Sequence, residues 1–286
     1  MFSTLSAEDI LDDLSGQWPQ RAYIDVRSEL EFSRGRIPLF QNAPILFQAE
    51  RHLVGTTYKQ EGQEAAIRLG YELVTPVRDQ RVRAWAQKIE ASPSREGVIL
   101  CWRGGLRSKI ACEWLDTAGS RIFQVADGYK ALRQHLTRVF ERPLPLLVIA
   151  GLTGSGKTDL LLEFPDFAVD LEGAAHHRGS LFGRYWDEGP SAQATFENSI
   201  ALGFQRPVAT FLIEDESRFI GPLHIPDVLF QQFQRAPLII LDDDRASRAE
   251  RIWRNYVALP LENGVPVEVL SAGFAASLKS LQRPLD

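Results

Sequence analysis

The residue types able to do chemistry gather in two short stretches. The first is Cys101-Trp102-Arg103-Gly104-Gly105-Leu106-Arg107-Ser108. An apolar, β-branched run, Gly97-Val98-Ile99-Leu100, precedes it, and residues from Ser108 to Leu115 follow with helical spacing. This order places a cysteine at the end of a strand, ahead of a loop whose backbone N–H groups can turn inward as an anion-binding nest. Those dipoles, with Arg103 and Arg107 nearby, favour thiolate over thiol. Cys101 is therefore the candidate nucleophile, with Arg103, Gly104, Gly105, Arg107 and Ser108 as its anion loop.

The second stretch, Gly151-Leu152-Thr153-Gly154-Ser155-Gly156-Lys157-Thr158, fits the G-x-x-x-x-G-K-[ST] pattern. The apolar strand Leu146-Leu147-Val148-Ile149-Ala150 runs into it, which is the context the pattern requires. Gly151, Gly154 and Gly156 let the backbone wrap phosphates, Ser155 lies among them, and Lys157 pairs with the charge. Thr158 is the expected Mg²⁺ ligand.

Downstream, Phe167 to Glu172 reads as a strand ending in the carboxylates Asp170 and Glu172. The loop beyond it carries His176, His177, Arg178 and Ser180. Adjacent His176 and His177 could bind a metal, but neighbours on an extended segment point opposite ways, so His177, with Arg178 beside it, suits an anion or RNA better. A second strand, Val208 to Ile213, delivers Glu214-Asp215-Glu216-Ser217-Arg218. A carboxylate at that point is where a P-loop fold holds Mg²⁺ or a water, making Glu214, Asp215 and Arg218 further candidates. Arg245, Arg248, Arg251 and Arg254 recur at steps of three on a helical segment, on one side, suited to phosphate, RNA or solvent.

Strands and helices alternate around these stretches. Ser6-Ala7-Glu8-Asp9 opens a helix as a capping box, and Ala22 to Arg27 is a strand. Gln48 to Leu73 is helical and charged, closing on Gly70, and Val77 to Ala91 is helical with Val82, Trp85, Ala86 and Ile89 on one face. Ile122 to Val125 is a strand and Tyr129 to Phe140 a helix. Alternation of this kind implies parallel pairing in an α/β architecture. Glu141-Arg142-Pro143-Leu144-Pro145 interrupts it, dividing the chain into domains 1–141 and 142–286.

Composition limits the function classes. The chain has 286 residues, 44% of them hydrophobic and 24% charged, as in globular proteins with ample core. No apolar run is long enough to span a bilayer, and the first residues lack signal-peptide character, so a cytoplasmic protein without a membrane partner is expected. Two cysteines make no disulfide framework. A net charge of −5 leaves any nucleic-acid contact to local patches.

Together the two stretches and the text between them resemble the tRNA 2-selenouridine synthases. The matching residues begin with Ile24-Asp25-Val26-Arg27, Glu31-Phe32 and Val54-Gly55-Thr56-Thr57-Tyr58-Lys59-Gln60. They continue through Cys101 with its loop, Gly128-Tyr129-Lys130-Ala131-Leu132-Arg133 and the P-loop. Asp170-Leu171-Glu172-Gly173, His177-Arg178-Gly179-Ser180 and Glu214 to Arg218 complete the set, spanning roughly residues 20 to 256. The resemblance implies a rhodanese-like α/β domain followed by a P-loop NTPase-like α/β domain with a parallel sheet. It implies an enzyme that replaces the sulfur of a wobble-position 2-thiouridine in tRNA with selenium from selenophosphate, through an S-geranylated intermediate made from geranyl diphosphate. Cys101 would carry selenium as a selenylsulfide. The P-loop would bind a diphosphate, that of geranyl diphosphate in preference to ATP although the motif itself does not distinguish the two, with Mg²⁺ as an optional ion and no tightly bound cofactor.

The sequence departs from the family pattern at Leu39-Phe40-Gln41-Asn42 and at Ala126-Asp127-Gly128, and matches little after Tyr256, where relatives continue through a further helical region. Two other readings fit the cysteine loop. Cys101 to Arg107 has the C-x₅-R form of a cysteine phosphatase, and a rhodanese-type sulfurtransferase needs the same activated thiol.

Overall fold

The structure is a computed structural model that describes residues 2–16, 20–180, 182–183 and 189–280. The chain divides into two compact units, Met1–Val139 and Phe140–Asp286.

The first unit is built on five parallel strands: β1 (Ser3–Leu5), β2 (Ala22–Asp25), β3 (Gln41–Asn42), β4 (Glu96–Leu100) and β5 (Arg121–Val125), in spatial order β1-β5-β4-β2-β3. Every residue of β2 and β4 is buried, the signature of strands covered on both faces. Its helices are α1 (Ala7–Ser15), α2 (Glu29–Ser33), α3 (Gln48–Glu61), α4 (Gln63–Val74), α5 (Arg78–Glu90), α6 (Leu106–Thr117) and α7 (Gly128–Thr137). Ser6 and Ser28 open α1 and α2 with reciprocal capping boxes. The core joins Ile24, Val26, Ile99, Cys101, Ala111 and Leu115 to Trp85. The Trp85 indole N–H donates to Ala43 O at 2.9 Å, so the ring is buried without an orphaned polar atom.

The helical stretch from Gln48 divides at Gly62, not at Gly70. Gly62 has φ +90°, which a glycine adopts without steric cost, and it separates α3 from α4. Gly70 lies inside α4, where its Cα faces open space apart from Val54 Cγ2 at 4.0 Å from a would-be Cβ.

The second unit holds a parallel three-stranded sheet in order β10-β6-β7, from β6 (Leu146–Gly151), β7 (Phe211–Glu214) and β10 (Leu238–Leu241). A short antiparallel pair, β8 (Phe219–Ile220) and β9 (Leu223–His224), follows β7. Its helices are α8 (Lys157–Leu162), α9 (Leu171–Ala175), α10 (Gln193–Gly203), α11 (Asp227–Phe233), α12 (Arg245–Trp253), α13 (Leu259–Glu262) and α14 (Val267–Ser280). The strand expected from Phe167 to Glu172 reduces to one parallel bridge, Ala168 to Leu212. Asp170 instead caps α9, its carboxylate accepting from Gly173 N at 2.7 Å, because a short acidic side chain satisfies an open helix end. Among the described residues, no helix is long and apolar enough to cross a membrane.

Candidate functional site

Cys101 follows directly on Leu100, the last residue of β4, and only 3% of it reaches solvent. Its Sγ lies 3.1 Å from Ser108 Oγ, one turn into α6. Ser108 Oγ also accepts from Gln124 Nε2 at 2.8 Å and stands 3.2 Å from Gly105 O. With the Gln124 amide filling an acceptor site, the single Ser108 proton goes either to Gly105 O or to sulfur. A thiolate would take it; a thiol leaves it with the carbonyl.

The loop is held from below by the start of α7. Tyr129 N and Lys130 N donate to Cys101 O at 2.8 Å and Trp102 O at 3.1 Å, and Gln124 Nε2 donates to Gly104 O at 2.8 Å. Gly104 and Gly128 both have φ +61°. A Cβ on Gly104 would lie 2.8 Å from Asp127 N and one on Gly128 2.9 Å from Arg103 N, so both positions need glycine for conformation and for space. Trp102, 39% exposed, stacks on the buried Tyr129 ring with centroids 5.3 Å apart, and the Arg27 guanidinium lies 3.8 Å from that ring's centre on buried side chains. Arg27 is tied to Asp25 at 2.6 Å and to Gly35 O at 2.7 Å. Burial pushes the Asp25 carboxyl up from its usual range, against the pull of Arg27.

Arg107 does not reach into the loop as a free fork. Both terminal nitrogens sit on Glu31, Nη1 to Oε2 at 2.6 Å and Nη2 to Oε1 at 3.0 Å. Burial raises the Glu31 carboxyl, but the Arg107 fork outweighs it and brings Glu31 down to about 2. Burial likewise opposes the Arg107 charge, and Glu31 more than reverses that, with Cys101 and Asp25 adding to the field. Arg103 is exposed.

In the second unit, Gly154 (φ +78°) and Gly156 (φ +89°) turn the loop after β6, and a Cβ on Gly154 would press on Ile252 at 2.9 Å. Lys157 Nζ folds back onto Gly151 O at 2.9 Å, and Ser155 Oγ is buried without a hydrogen-bond partner. Arg251, from α12, donates to Gly154 O at 3.0 Å and pairs with Asp243, so this arginine of the four closes on the loop. Arg245 and Arg254 are exposed.

Thr158, the second residue of α8, donates its hydroxyl to Glu214 Oε1 at 2.5 Å and stands 3.4 Å from Glu172 Oε2. Glu172, Glu214 and Glu216 bring carboxylate oxygens within 4.8 Å of one another. Burial raises all three carboxyls, Glu214 to about 8 and Glu216 to about 7, and neighbouring carboxylates push the same way. Glu214 is fully buried and its Oε2 has no hydrogen-bond partner. An orphaned carboxylate oxygen among two further carboxylates and a hydroxyl is a donor set for a hard divalent cation. Thr158 and Glu214 would hold it, with Glu172 and Glu216 in reach.

The other second-unit candidates take different places. Asp170 is the α9 cap, Asp215 is exposed, and Arg218 pairs with Asp227 outside the cluster. The two histidines are not on an extended segment: His176 ends α9 in a left-handed conformation (φ 50°), and His177 is buried with its ring against Gly221. Arg178 lies over the Tyr256 ring at 5.0 Å. Glu216 was not among the sequence candidates, although its signal was present. Glu214 and Glu216 are two apart at a strand end, and alternate residues of an extended chain share a face.

A sequence model of the family described as "tRNA 2-selenouridine synthase AAA domain" matches residues 144–286, which extends the likeness past Tyr256. The tRNA 2-selenouridine synthase of Shewanella loihica is 43% identical over 242 residues, covering 82% of this chain and 64% of that protein. That of Cupriavidus necator is 45% identical, covering 82% and 65%, and that of Azotobacter vinelandii 43% identical, covering 92% and 72%. The chain thus spans about two thirds of the length of the curated relatives it matches.

Proposed function

Because the chain belongs to the tRNA 2-selenouridine synthase family, we propose that it exchanges the sulfur of a tRNA wobble 2-thiouridine for selenium. What carries this reading is the presence, in one chain, of both a buried thiol at a glycine-bearing loop and a P-loop with its own carboxylate cluster. The Azotobacter vinelandii relative is similar across 92% of the chain, so both units belong to the comparison.

The first unit is taken as the rhodanese-like half. Its glycine-bearing loop leads from Cys101 into α6, a setting in which backbone N–H groups would suit the tetrahedral anion of selenophosphate, with Cys101 as the residue that handles selenium. The P-loop and Lys157 bind the diphosphate of geranyl diphosphate. A divalent cation at Thr158 and Glu214 would neutralise charge on that leaving group. In the first step the 2-thio sulfur attacks C1 of the geranyl group; a carbon–sulfur bond forms, the carbon–oxygen bond breaks and diphosphate leaves. In the second, selenium takes C2 of the base and geranylthiolate leaves with the original sulfur. Hydrolysis of the selenium–phosphorus bond then yields phosphate and the selenouridine.

The C-x₅-R phosphatase alternative is disfavoured by the similarity to the synthases over both units. The deciding experiment gives the protein selenophosphate, geranyl diphosphate and 2-thiouridine-containing tRNA, and reads the nucleosides by mass spectrometry. Selenouridine that disappears in Cys101→Ser supports the reading; its absence with the unaltered protein overturns it.

A further inference from the structure

An aromatic ring stands open at the first residue of the cysteine loop. Trp102 follows Cys101 directly and is 39% exposed, although an indole gains by burial. The buried Tyr129 ring lies stacked against it, with centroids 5.3 Å apart and planes 24° from parallel. The side of the indole toward Tyr129 is therefore covered, and what reaches solvent is the rest of the ring, its other face and its edges.

The ring is held in place by its support. The Arg27 guanidinium lies 3.8 Å from the Tyr129 ring centre and 5.9 Å from that of Trp102, so both rings lean on one buried cation. Arg27 is itself fixed, with Nε and Nη2 on the Asp25 oxygens at 2.6–3.0 Å and Nη2 on Gly35 O at 2.7 Å. The main chain joins the same two segments. Lys130 N donates to Trp102 O at 3.1 Å, beside the bond from Tyr129 N to Cys101 O at 2.8 Å. An indole already fixed in this way loses little freedom when a second ring lands on it.

Two cations flank the ring along the backbone. Arg103 is next in the chain and Lys130 is the residue bonded to the Trp102 carbonyl; both are exposed, with Asp127 as the acid of the adjoining turn. An open π-face between two cations suits a nucleobase and the phosphates before and after it. We propose that Trp102 is the platform on which the target pyrimidine of the RNA stacks, with Arg103 and Lys130 on the flanking phosphates. The identity of that base rests on the function proposed above; the open, supported ring and its cations are independent of it. Consecutive Cα atoms stand about 3.8 Å apart, so a base on this ring is held within one residue of Cys101. A wobble base, unpaired in its loop, gives up no partner to reach it.

The test compares two anticodon stem-loop RNAs of one sequence by fluorescence anisotropy, one with 2-thiouridine at the wobble position and one abasic there. The unaltered protein should bind the 2-thiouridine RNA about 5–150-fold more tightly, the worth of one base on an aromatic ring. Trp102→Ala should bring the two affinities together by weakening only the base-bearing RNA, whereas a merely structural role would weaken both alike. Trp102→Phe, which keeps a π-face, should retain most of the ratio. Should Trp102→Ala not melt cooperatively, Trp102→Leu makes the same comparison, with apolar bulk but no ring. No binding, equal affinities with the unaltered protein, or a ratio that survives the loss of the ring overturns the proposal. Selenouridine formed by a protein that fails this test leaves the proposed function standing without the platform. A ratio that depends on Trp102 without selenouridine does the reverse.

Discussion

Arg107 lays its two terminal nitrogens on the two carboxylate oxygens of Glu31, at 2.6 and 3.0 Å, although 76 residues separate them. The pair ties the start of α6 to α2 and fixes the first turn after the cysteine loop. It also orients the guanidinium, leaving Nε–H and the second N–H of each terminal nitrogen outside the pair.

Removing the carboxylate charge should be costly. Glu31→Gln leaves a mostly buried guanidinium short of its counter-charge and should destabilise the first unit by about 2–3 kcal/mol. The folded-state carboxyl is depressed to about 2 from an ordinary value of 4.5. Its contribution is therefore complete above pH 4.5 and lost as pH falls from there toward 2. Denaturant titrations at pH 7 and pH 3 should show the wild-type advantage over Glu31→Gln shrinking at the lower pH; an equal gap at both would contradict the assignment.

Membership in the synthase family predicts a missing activity. The unaltered protein should hydrolyse an aryl phosphate no faster than Cys101→Ser does, measured by phenolate release. A burst dependent on Cys101 would restore the cysteine-phosphatase reading.

How much of this could be read from sequence depends on how local each signal is. Cys101 and its flanks, the P-loop and the strands β2, β4 and β6 are legible because each is a short apolar run ending in special residues. Gly62 and Gly70 were not distinguishable by type; only the packing of α3 against α4 selects which one turns. The Phe167 to Glu172 segment has strand composition, yet Asp170 caps the helix that begins at Leu171, bonding Gly173 N three residues on, and that local hydrogen bond prevails. The partners that define the cysteine site, Glu31 and Gln124, come from other strands and helices, so no spacing rule points to them.

The carboxylate cluster carries its own pH dependence. Glu214 and Glu216 are raised to about 8 and about 7, so the folded chain retains protons that the unfolded chain releases near pH 4.5. Stability should therefore fall as pH climbs from about 5 through 8. Glu214→Gln keeps the shape without the charge and should raise the melting temperature at pH 8.5 by about 3–6 °C, with little change at pH 5.5. Mg²⁺ should stabilise the unaltered protein more at pH 8.5 than at pH 5.5, and Glu214→Gln less than either. A melting curve indifferent to Mg²⁺ at both pH values would remove the cation from the site.

Lys157 tests the P-loop directly. Its ammonium rests on Gly151 O at 2.9 Å, a contact it can exchange for a phosphate oxygen by rotation of a flexible stem. Lys157→Ala should weaken binding of geranyl diphosphate by roughly 10–100-fold in calorimetry, in line with the loss of one charge-assisted hydrogen bond. An unchanged affinity would move the diphosphate elsewhere.

The last prediction concerns Ser108, whose one proton has two destinations. Gln124 Nε2 donates to Ser108 Oγ at 2.8 Å, so the hydroxyl must turn its own hydrogen toward Gly105 O at 3.2 Å or Cys101 Sγ at 3.1 Å. During alkylation the sulfur reacts as an anion, which attracts that hydrogen more strongly than a carbonyl does. Ser108→Ala should therefore slow alkylation of Cys101 by iodoacetamide at pH 7.5 by about tenfold, the worth of one hydrogen bond to a charged group. Ser108→Thr should restore most of it, and Gln124→Leu should fall between, since it frees the hydroxyl without removing it. Cys112 provides the internal control: it is fully buried, and burial pushes its thiol up to about 12, so it should stay unlabelled throughout. If Ser108→Ala reacts as fast as the unaltered protein, the hydroxyl is a packing element.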